Sequence, residues 1–231
     1  MTRMFTYPTA SGLKKMETWN IFVGCRWNCL YCSARKMALT KLKNVPRYRE
    51  GFNPHFVEEE VGRQFPKDCW VFIAYMADVC FATDLEFERL LSCVRNRPDN
   101  TFLFCSKRPA CYLGLDIAGA PNLVLGTTIE TNRDTSAWSQ APPPIERASA
   151  LAKASGQRKF ISIEPVMDFD LPAMVHLVDM VAPEIVEVGA DNYHNSLPEP
   201  SLGKVAALLK ALQQLVPRVI EKEGLERLKG R

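Results

Sequence analysis

The sequence lacks a second cysteine pair, a long apolar run and any cluster of histidines, and each shortage removes a class of explanation. A zinc hairpin built on Cys-x2-Cys calls for a second ligand pair; here no such pair exists, and the histidines are only His55, His176 and His194. No run of about 18 apolar residues occurs, so no membrane-crossing helix is expected. Met1 to Glu17 carries charges without an apolar centre, so no secretory signal is expected either. The net charge of +3 is too small to name nucleic acid as a partner. Neither a repeat nor a low-complexity tract is present. What remains is 231 residues with 47% hydrophobic content, enough for the core of one large α/β domain or two small ones. A reducing cytoplasm is the expected compartment, and it suits oxygen-sensitive chemistry.

Against these absences stands Cys25-Arg-Trp-Asn-Cys29-Leu-Tyr-Cys32, three cysteines in eight residues. It follows Trp19-Asn-Ile-Phe-Val23, which reads as a strand, and Gly24 allows a tight exit. Cys29 and Cys32 meet on one side if a helix begins there, and the N–H groups of a helix start favour negative charge. Cubane iron–sulfur clusters are held by four thiolates. Three are offered here, with no fourth at a matching spacing. One iron is then left without a protein ligand, and an open metal position is where a small molecule binds and reacts. Zinc and a disulfide framework are the rival readings. The other cysteines (Cys69, Cys80, Cys93, Cys105 and Cys111) are scattered singly, as buried free thiols are.

Downstream the pattern alternates. A helix is expected over 30–43, a polar irregular segment over 44–54 and a short helix over 56–65. Apolar runs at Trp70-Val-Phe-Ile-Ala-Tyr75, Thr101-Phe-Leu-Phe-Cys105, 122–130, Lys159-Phe-Ile-Ser-Ile-Glu164 and Glu184-Ile-Val-Glu-Val188 read as strands covered on both faces. Thr83-Asp-Leu-Glu86 is a capping box for a helix with Phe87, Leu90, Leu91 and Val94 on one face. Further helices are expected over 145–154, after an Asp170 cap with Met174, Leu177, Val178 and Val181, and over 200–216. Six strands alternating with helices indicate parallel βα units with right-handed crossovers. Asp78, Lys107, Glu130, Glu164 and Asp191 fall at or just after strand C-termini, the ends that converge on the mouth of a barrel. Residues 1–17 form an irregular lead-in, 18–216 the single core domain and 217–231 a charged tail that frays.

Cys-x3-Cys-x2-Cys with Tyr31 before the third cysteine resembles the radical S-adenosylmethionine (radical SAM) superfamily, and the loop is similar to that of the spore photoproduct lyases, which repair DNA. Ser106-Lys-Arg-Pro109, Leu125-Gly-Thr-Thr-Ile-Glu-Thr-Asn132 and Ser162-Ile-Glu-Pro-Val166 look like a phage-associated radical SAM-like family of uncharacterised activity. The resemblance implies an α/β fold, a partial (β/α)6 barrel. It implies a [4Fe–4S] cluster on Cys25, Cys29 and Cys32. S-adenosyl-L-methionine (SAM) would chelate the open iron, with reductive cleavage to a 5′-deoxyadenosyl radical that abstracts hydrogen from a substrate. Tyr31 would lie against the adenine. Relatives often end the second strand in Gly-Gly-Glu, which holds the methionine amino group; this chain has Tyr75-Met-Ala-Asp78, leaving Asp78 as the single carboxylate for the task. Lys107 would pair with the methionine carboxylate, and Thr128, Glu130 and Asn132 would reach the ribose. Glu164 needs partners at its strand end, and Gly189 permits close approach to the adenosine. For each polar residue the competing role is a helix cap or a surface ion pair.

An electron donor such as flavodoxin or ferredoxin is the implied partner. Cys80 and Cys105 lie near strand ends, where a thiol can return a hydrogen atom to a substrate radical or simply pack. Arg35, Lys36, Lys41, Lys43, Arg47 and Arg49, near Tyr48 and Phe52, form a basic stretch with aromatics; a solvated helix face competes with phosphate and base binding there. It keeps nucleic acid open as a substrate, beside a peptide. The reading of another class is a non-enzymatic iron–sulfur or zinc protein that senses redox state or binds nucleic acid, with Cys69 or another distant cysteine as fourth ligand.

Overall fold

In chain order the strands and helices are β1 (Thr6–Thr9), β2 (Gly12–Lys15), β3 (Glu17–Trp19), β4 (Phe22–Val23), α1 (Ser33–Leu39), β5 (His55–Phe56), β6 (Trp70–Ile73), α2 (Asp84–Arg95), β7 (Thr101–Cys105), β8 (Leu123–Thr128), α3 (Pro144–Ala152), β9 (Arg158–Ile163), α4 (Leu171–Val181), β10 (Ile185–Val188), α5 (Leu202–Leu215) and β11 (Arg218–Glu221). The computed structural model describes residues 6–117 and 119–229. Seven strands pair in the order β11-β10-β9-β8-β7-β6-β3, and every pairing is parallel. The first and last strands of this order do not pair with each other, so the barrel is partial. It comprises six strand-and-crossover units with one added edge strand.

Side chains alternate across a strand, and each face of this sheet buries its own core. Outward-facing Val71, Ile73, Phe102, Phe104, Leu125 and Ile161 pack beneath the apolar stripes of α2, α4 and α5. Each such side chain contributes about 1.5–3 kcal/mol when fully buried. The capping box forms as expected: Glu86 N–H donates to Thr83 Oγ1 at 3.3 Å and Thr83 N–H to Glu86 Oε2 at 2.8 Å. The inward face holds Trp70, Leu103, Val124, Phe160 and Ile185, closed off by Tyr7 and Met16. Tyr7 lies 4.8 Å from Trp70, ring centre to ring centre.

Several expectations need correction. The lead-in, beyond residues 1–5 that lie outside the described ones, is not irregular: β1 and β2 form an antiparallel hairpin that plugs the inner face. The strand expected over 19–23 divides in two. β3 joins the main sheet and β4 pairs with β5, because Asn20 turns aside to accept the Met76 N–H on its Oδ1. The helix over 30–43 shrinks to α1, which Thr40 ends by donating its hydroxyl to the Lys36 carbonyl. The helix over 56–65 is a single 3-10 turn, Glu58–Glu60, whose carboxylates are drawn to Arg47, Arg63 and Arg89. The tail, as far as residue 229, is ordered into the fold, residues 230–231 lying outside the described ones. It supplies β11, and Leu225 and Leu228 are buried beyond it.

Candidate functional site

The cysteine loop is fastened to the C-terminal end of the sheet before any ligand is considered. Gly24 N–H donates to Met76 O, and Gly24 O accepts the Asp78 N–H. Gly24 has φ +89°, and a Cβ there would stand 2.1 Å from Asn53 O. Only glycine fits. On the far side Leu30 N–H donates to Trp138 O and Gln140 N–H to Trp27 O. Arg35 donates to Cys25 O at 2.8 Å and to Asn28 Oδ1 at 2.7 Å, bracing the loop from within.

Among the described residues no disulfide joins any of the cysteines. Cys25 and Cys32 are partly exposed and Cys29 is buried. Backbone N–H groups point at two sulfurs: Trp27 N to Cys25 Sγ at 3.5 Å and Arg35 N to Cys32 Sγ at 3.3 Å. Ser139 Oγ lies 3.1 Å from Cys29 Sγ. Burial pushes the Cys25 and Cys32 thiols up, the Asp78 charge adding to the effect at Cys25. Among the described residues no three His, Cys, Asp or Glu side chains converge on a point where a single ion would sit. A cubane asks for something else, one thiolate per iron with the sulfurs held apart. The donor set fits it: three thiols on one clamped loop, two of them receiving backbone N–H groups as cluster sulfurs do. Cys69 is no fourth ligand. It lies beside the first residue of β6, whereas the loop is tied to residues beyond the other end of that strand.

Asp78 is a hub. It is 4% exposed and accepts four hydrogen bonds: from Cys80 N–H at 3.0 Å, Ser106 Oγ at 2.6 Å, Trp27 Nε1 at 2.7 Å and Lys107 N–H at 2.8 Å. A carboxylate offers about four acceptor positions, and all are used. Asp78 therefore ties the cysteine loop, through Trp27, to the ends of β6 and β7.

Glu130 is the second hub. Fully buried at the end of β8, it accepts from Tyr31 Oη at 2.5 Å and Arg147 Nη1 at 2.8 Å and pairs with Lys107. Burial alone would raise its carboxyl, but Lys107 and Arg147 outweigh burial and hold it at about 2. Lys107 Nζ also donates to Tyr31 Oη at 3.1 Å. One network thus fixes the tyrosine between Cys29 and Cys32. Sequence reasoning missed Arg147, which looked like an ordinary helix residue.

Tyr31, which Glu130 holds, faces a cavity of about 260 Å³ on the inner face; neither Asp78 nor Glu130 lines it. Tyr31, Cys32, Thr128, Glu164, Asp191 and Cys105 line it, so the loop and the strand ends share one chamber. Glu164 pairs with Lys222, and its carboxyl fills the space a Cβ at Gly189 would need. Asn132 is elsewhere. Its amide accepts the Asp170 N–H at the start of α4 and donates to the Asp170 carboxylate. Cys80 is buried and away from the cavity lining, while burial pushes Cys105 up to about 12. In the basic stretch Arg35 braces the loop and Arg47 pairs with Glu59 and Glu60. Lys36, Lys41, Lys43 and Arg49 have no ion pair among the described residues. Two further polar residues escaped sequence reasoning, Tyr7 in the hairpin and Glu187 within β10; an acidic residue inside an apolar run was the one available signal.

No protein-family model and no curated protein matches the chain. Solved structures do. Spore photoproduct lyase complexed with dinucleoside spore photoproduct superposes at TM-score 0.63 and 8% identity, covering 88% of this chain and 75% of the other. A cysteine-to-alanine variant of that lyase with the same dinucleoside gives 0.62 at 10% identity over the same shares. A doubly substituted variant with bound AdoMet and the dinucleoside gives 0.56 at 10% identity, covering 89% and 75%. The fold is that of spore photoproduct lyase, a partial barrel of the radical SAM type. At such low identity the likeness speaks for the scaffold.

Proposed function

We propose that the chain is a radical SAM enzyme with one [4Fe–4S] cluster held by Cys25, Cys29 and Cys32. The observation that carries this reading is a three-thiol loop, clamped at Gly24, Asp78 and Trp138, at the mouth of a spore photoproduct lyase-like barrel. When bound, the cluster supplies the electron that cleaves SAM to a 5′-deoxyadenosyl radical. The chain's own share is positioning and water exclusion. Tyr31, held by Glu130 and Lys107, offers a fixed ring face beside the loop for the adenine. Thr128 and Glu164 line the chamber where the nucleoside and methionine portions would lie, and Gly189 leaves room for the Glu164 carboxyl. Lys107, whose Nζ donates to Tyr31 Oη at 3.1 Å, is the cation this reading gives to the methionine carboxylate. Asp78 and Asn132, whose groups are engaged with protein donors, act in this reading as positioning residues rather than cofactor contacts.

Among the described residues no helix is long and apolar enough to cross a membrane. A cytoplasmic location and a flavodoxin or ferredoxin electron donor belong to the same proposal. A nucleic-acid substrate is supported by the dinucleoside bound in the similar lyase structures.

Anaerobic reconstitution tests the reading. With dithionite and SAM the protein should form 5′-deoxyadenosine, and alanine at Cys25, Cys29 or Cys32 should each abolish cluster iron. Stable zinc in place of iron, or reduced cluster without SAM cleavage, overturns it.

A further inference from the structure

The three loop thiols differ in what reaches their sulfurs. At Cys25 and Cys32 it is a backbone N–H, from Trp27 at 3.5 Å and Arg35 at 3.3 Å. At Cys29 it is a side chain, the Ser139 hydroxyl at 3.1 Å, brought in from 110 residues along the chain. Two backbone ties put it there: Leu30 N–H donates to Trp138 O at 2.9 Å and Gln140 N–H to Trp27 O at 2.8 Å. Asn28 Nδ2 adds a third, to Gln140 Oε1 at 2.9 Å. Ser139 falls between these ties and meets Cys29. Its own N–H and that of Trp138 both donate to Thr135 O at 3.0 Å, which fixes the turn from behind. Ser139 is 5% exposed and Cys29 is buried, so the contact is shielded from solvent.

The direction of this hydrogen bond follows from the protons available. A serine hydroxyl has one hydrogen to give and two lone pairs to receive. Ala141 N–H donates to Ser139 Oγ at 3.1 Å and so takes an acceptor position. The hydroxyl hydrogen remains, and among the described residues the acceptor within its reach is the Cys29 sulfur. A thiol that ligates a metal is deprotonated and can only accept. Once Cys29 holds an iron, Ser139 is therefore the donor. Reduction adds a negative charge to a cluster, and a hydrogen bond to a ligand sulfur stabilises the more negative state, which raises the potential. A buried bond is felt more strongly than an exposed one.

We propose that Ser139 is a positioning residue that sets the cluster's reduction potential, its hydroxyl donating to the Cys29 thiolate and making the cluster easier to reduce. The assignment rests on the radical SAM reading and names the residue that decides how strong a reductant the site requires. The step concerned is the gain of one electron by the oxidised cluster from a low-potential one-electron carrier; dithionite takes that part in the test.

Potentiometric titration of the anaerobically reconstituted protein, without SAM, reads the effect through the EPR signal of the reduced cluster. At the parent's midpoint, the reduced-to-oxidised ratio in Ser139→Ala should be about 10-fold lower, which is about 59 mV for a one-electron couple. Ser139→Thr, which keeps the hydroxyl, should restore the parent's ratio. Iron content and melting temperature of each variant distinguish lost folding from a lost hydrogen bond. The parent alone supplies a second readout: electron–nuclear double resonance of its reduced cluster should show an exchangeable proton besides those of the two N–H groups. An unmoved midpoint in Ser139→Ala, a Ser139→Thr midpoint displaced as far as that of Ser139→Ala, or no such proton in the parent overturns the assignment and leaves cluster assembly and SAM cleavage intact. A parent that assembles no cluster overturns the radical SAM reading and this assignment with it.

Discussion

Glu130 and Arg147 are each at 0% side-chain exposure and hold each other at 2.8 Å. Removing one partner of such a pair strands the other charge, at a cost of about 3–5 kcal/mol. Arg147→Ala should therefore lower the unfolding free energy from denaturant titration by that amount and loosen Tyr31; a change under about 1 kcal/mol would show that Lys107 alone suffices. The two buried carboxyls respond to pH in opposite senses. Glu130 is held at about 2, below its unfolded value of 4.5. Its stabilisation is present above pH 4.5 and is lost as pH falls toward 2, up to about 3 kcal/mol. Glu187 is raised to about 7, chiefly by burial, with Lys222 opposing and Glu164 adding to the rise. Its folded form binds an extra proton, so its contribution is complete below pH 4.5 and is lost as pH rises through 7. The melting temperature of Glu187→Gln relative to the parent should therefore climb between pH 5 and 8; a flat difference would contradict the buried acid.

Among the elements, those with strong periodicity were legible. Phe87, Leu90, Leu91 and Val94 marked α2, and continuous apolar runs marked β6, β7, β8, β9 and β10. Those fixed by tertiary partners were not. The hairpin β1–β2 has no apolar alternation of its own and is set by Tyr7 and Met16 entering the inner core. The acidic run Glu58–Glu60 forms only a 3-10 turn, its carboxylates paired with Arg47 and Arg89 from elsewhere in the chain and with the nearby Arg63. The cysteine loop stood out at once because its spacing is chemical rather than conformational, and Gly24 is its hinge of entry. Gly24→Ala combines a left-handed φ, a strain of about 1–3 kcal/mol, with a Cβ 2.1 Å from Asn53 O. The variant should keep its helical and sheet circular dichroism yet bind less than half the parent's iron; full iron loading would show that the loop does not need this approach to the chain at Asn53.

The molecule is organised around one seven-stranded sheet with an apolar outer core, a plugged inner core and a chamber at the C-terminal strand ends. Strand-end residues were foreseeable as a group, because parallel barrels gather them at one mouth. Their individual roles were not, since hydrogen bonds decide whether a carboxylate is available: Asp78 is saturated by its donors, and Glu187, within a strand, pairs with Lys222. The last strand belongs to this unit rather than to a tail. Truncation after residue 216 removes β11 and Lys222, bares the β10 edge, and leaves Glu164 and Glu187 without their cation. Size-exclusion chromatography should find the shortened chain aggregated; a monodisperse, cooperatively melting product would mean β11 is dispensable. The central claim is the iron that three thiolates leave open. Electron–nuclear double resonance of the reduced cluster with SAM labelled by ¹⁵N at its amino group reads that position directly. A ¹⁵N coupling to the cluster that disappears when unlabelled SAM is used is the expected result; a cluster with no such coupling, or one bound by a fourth protein ligand, would contradict an open iron.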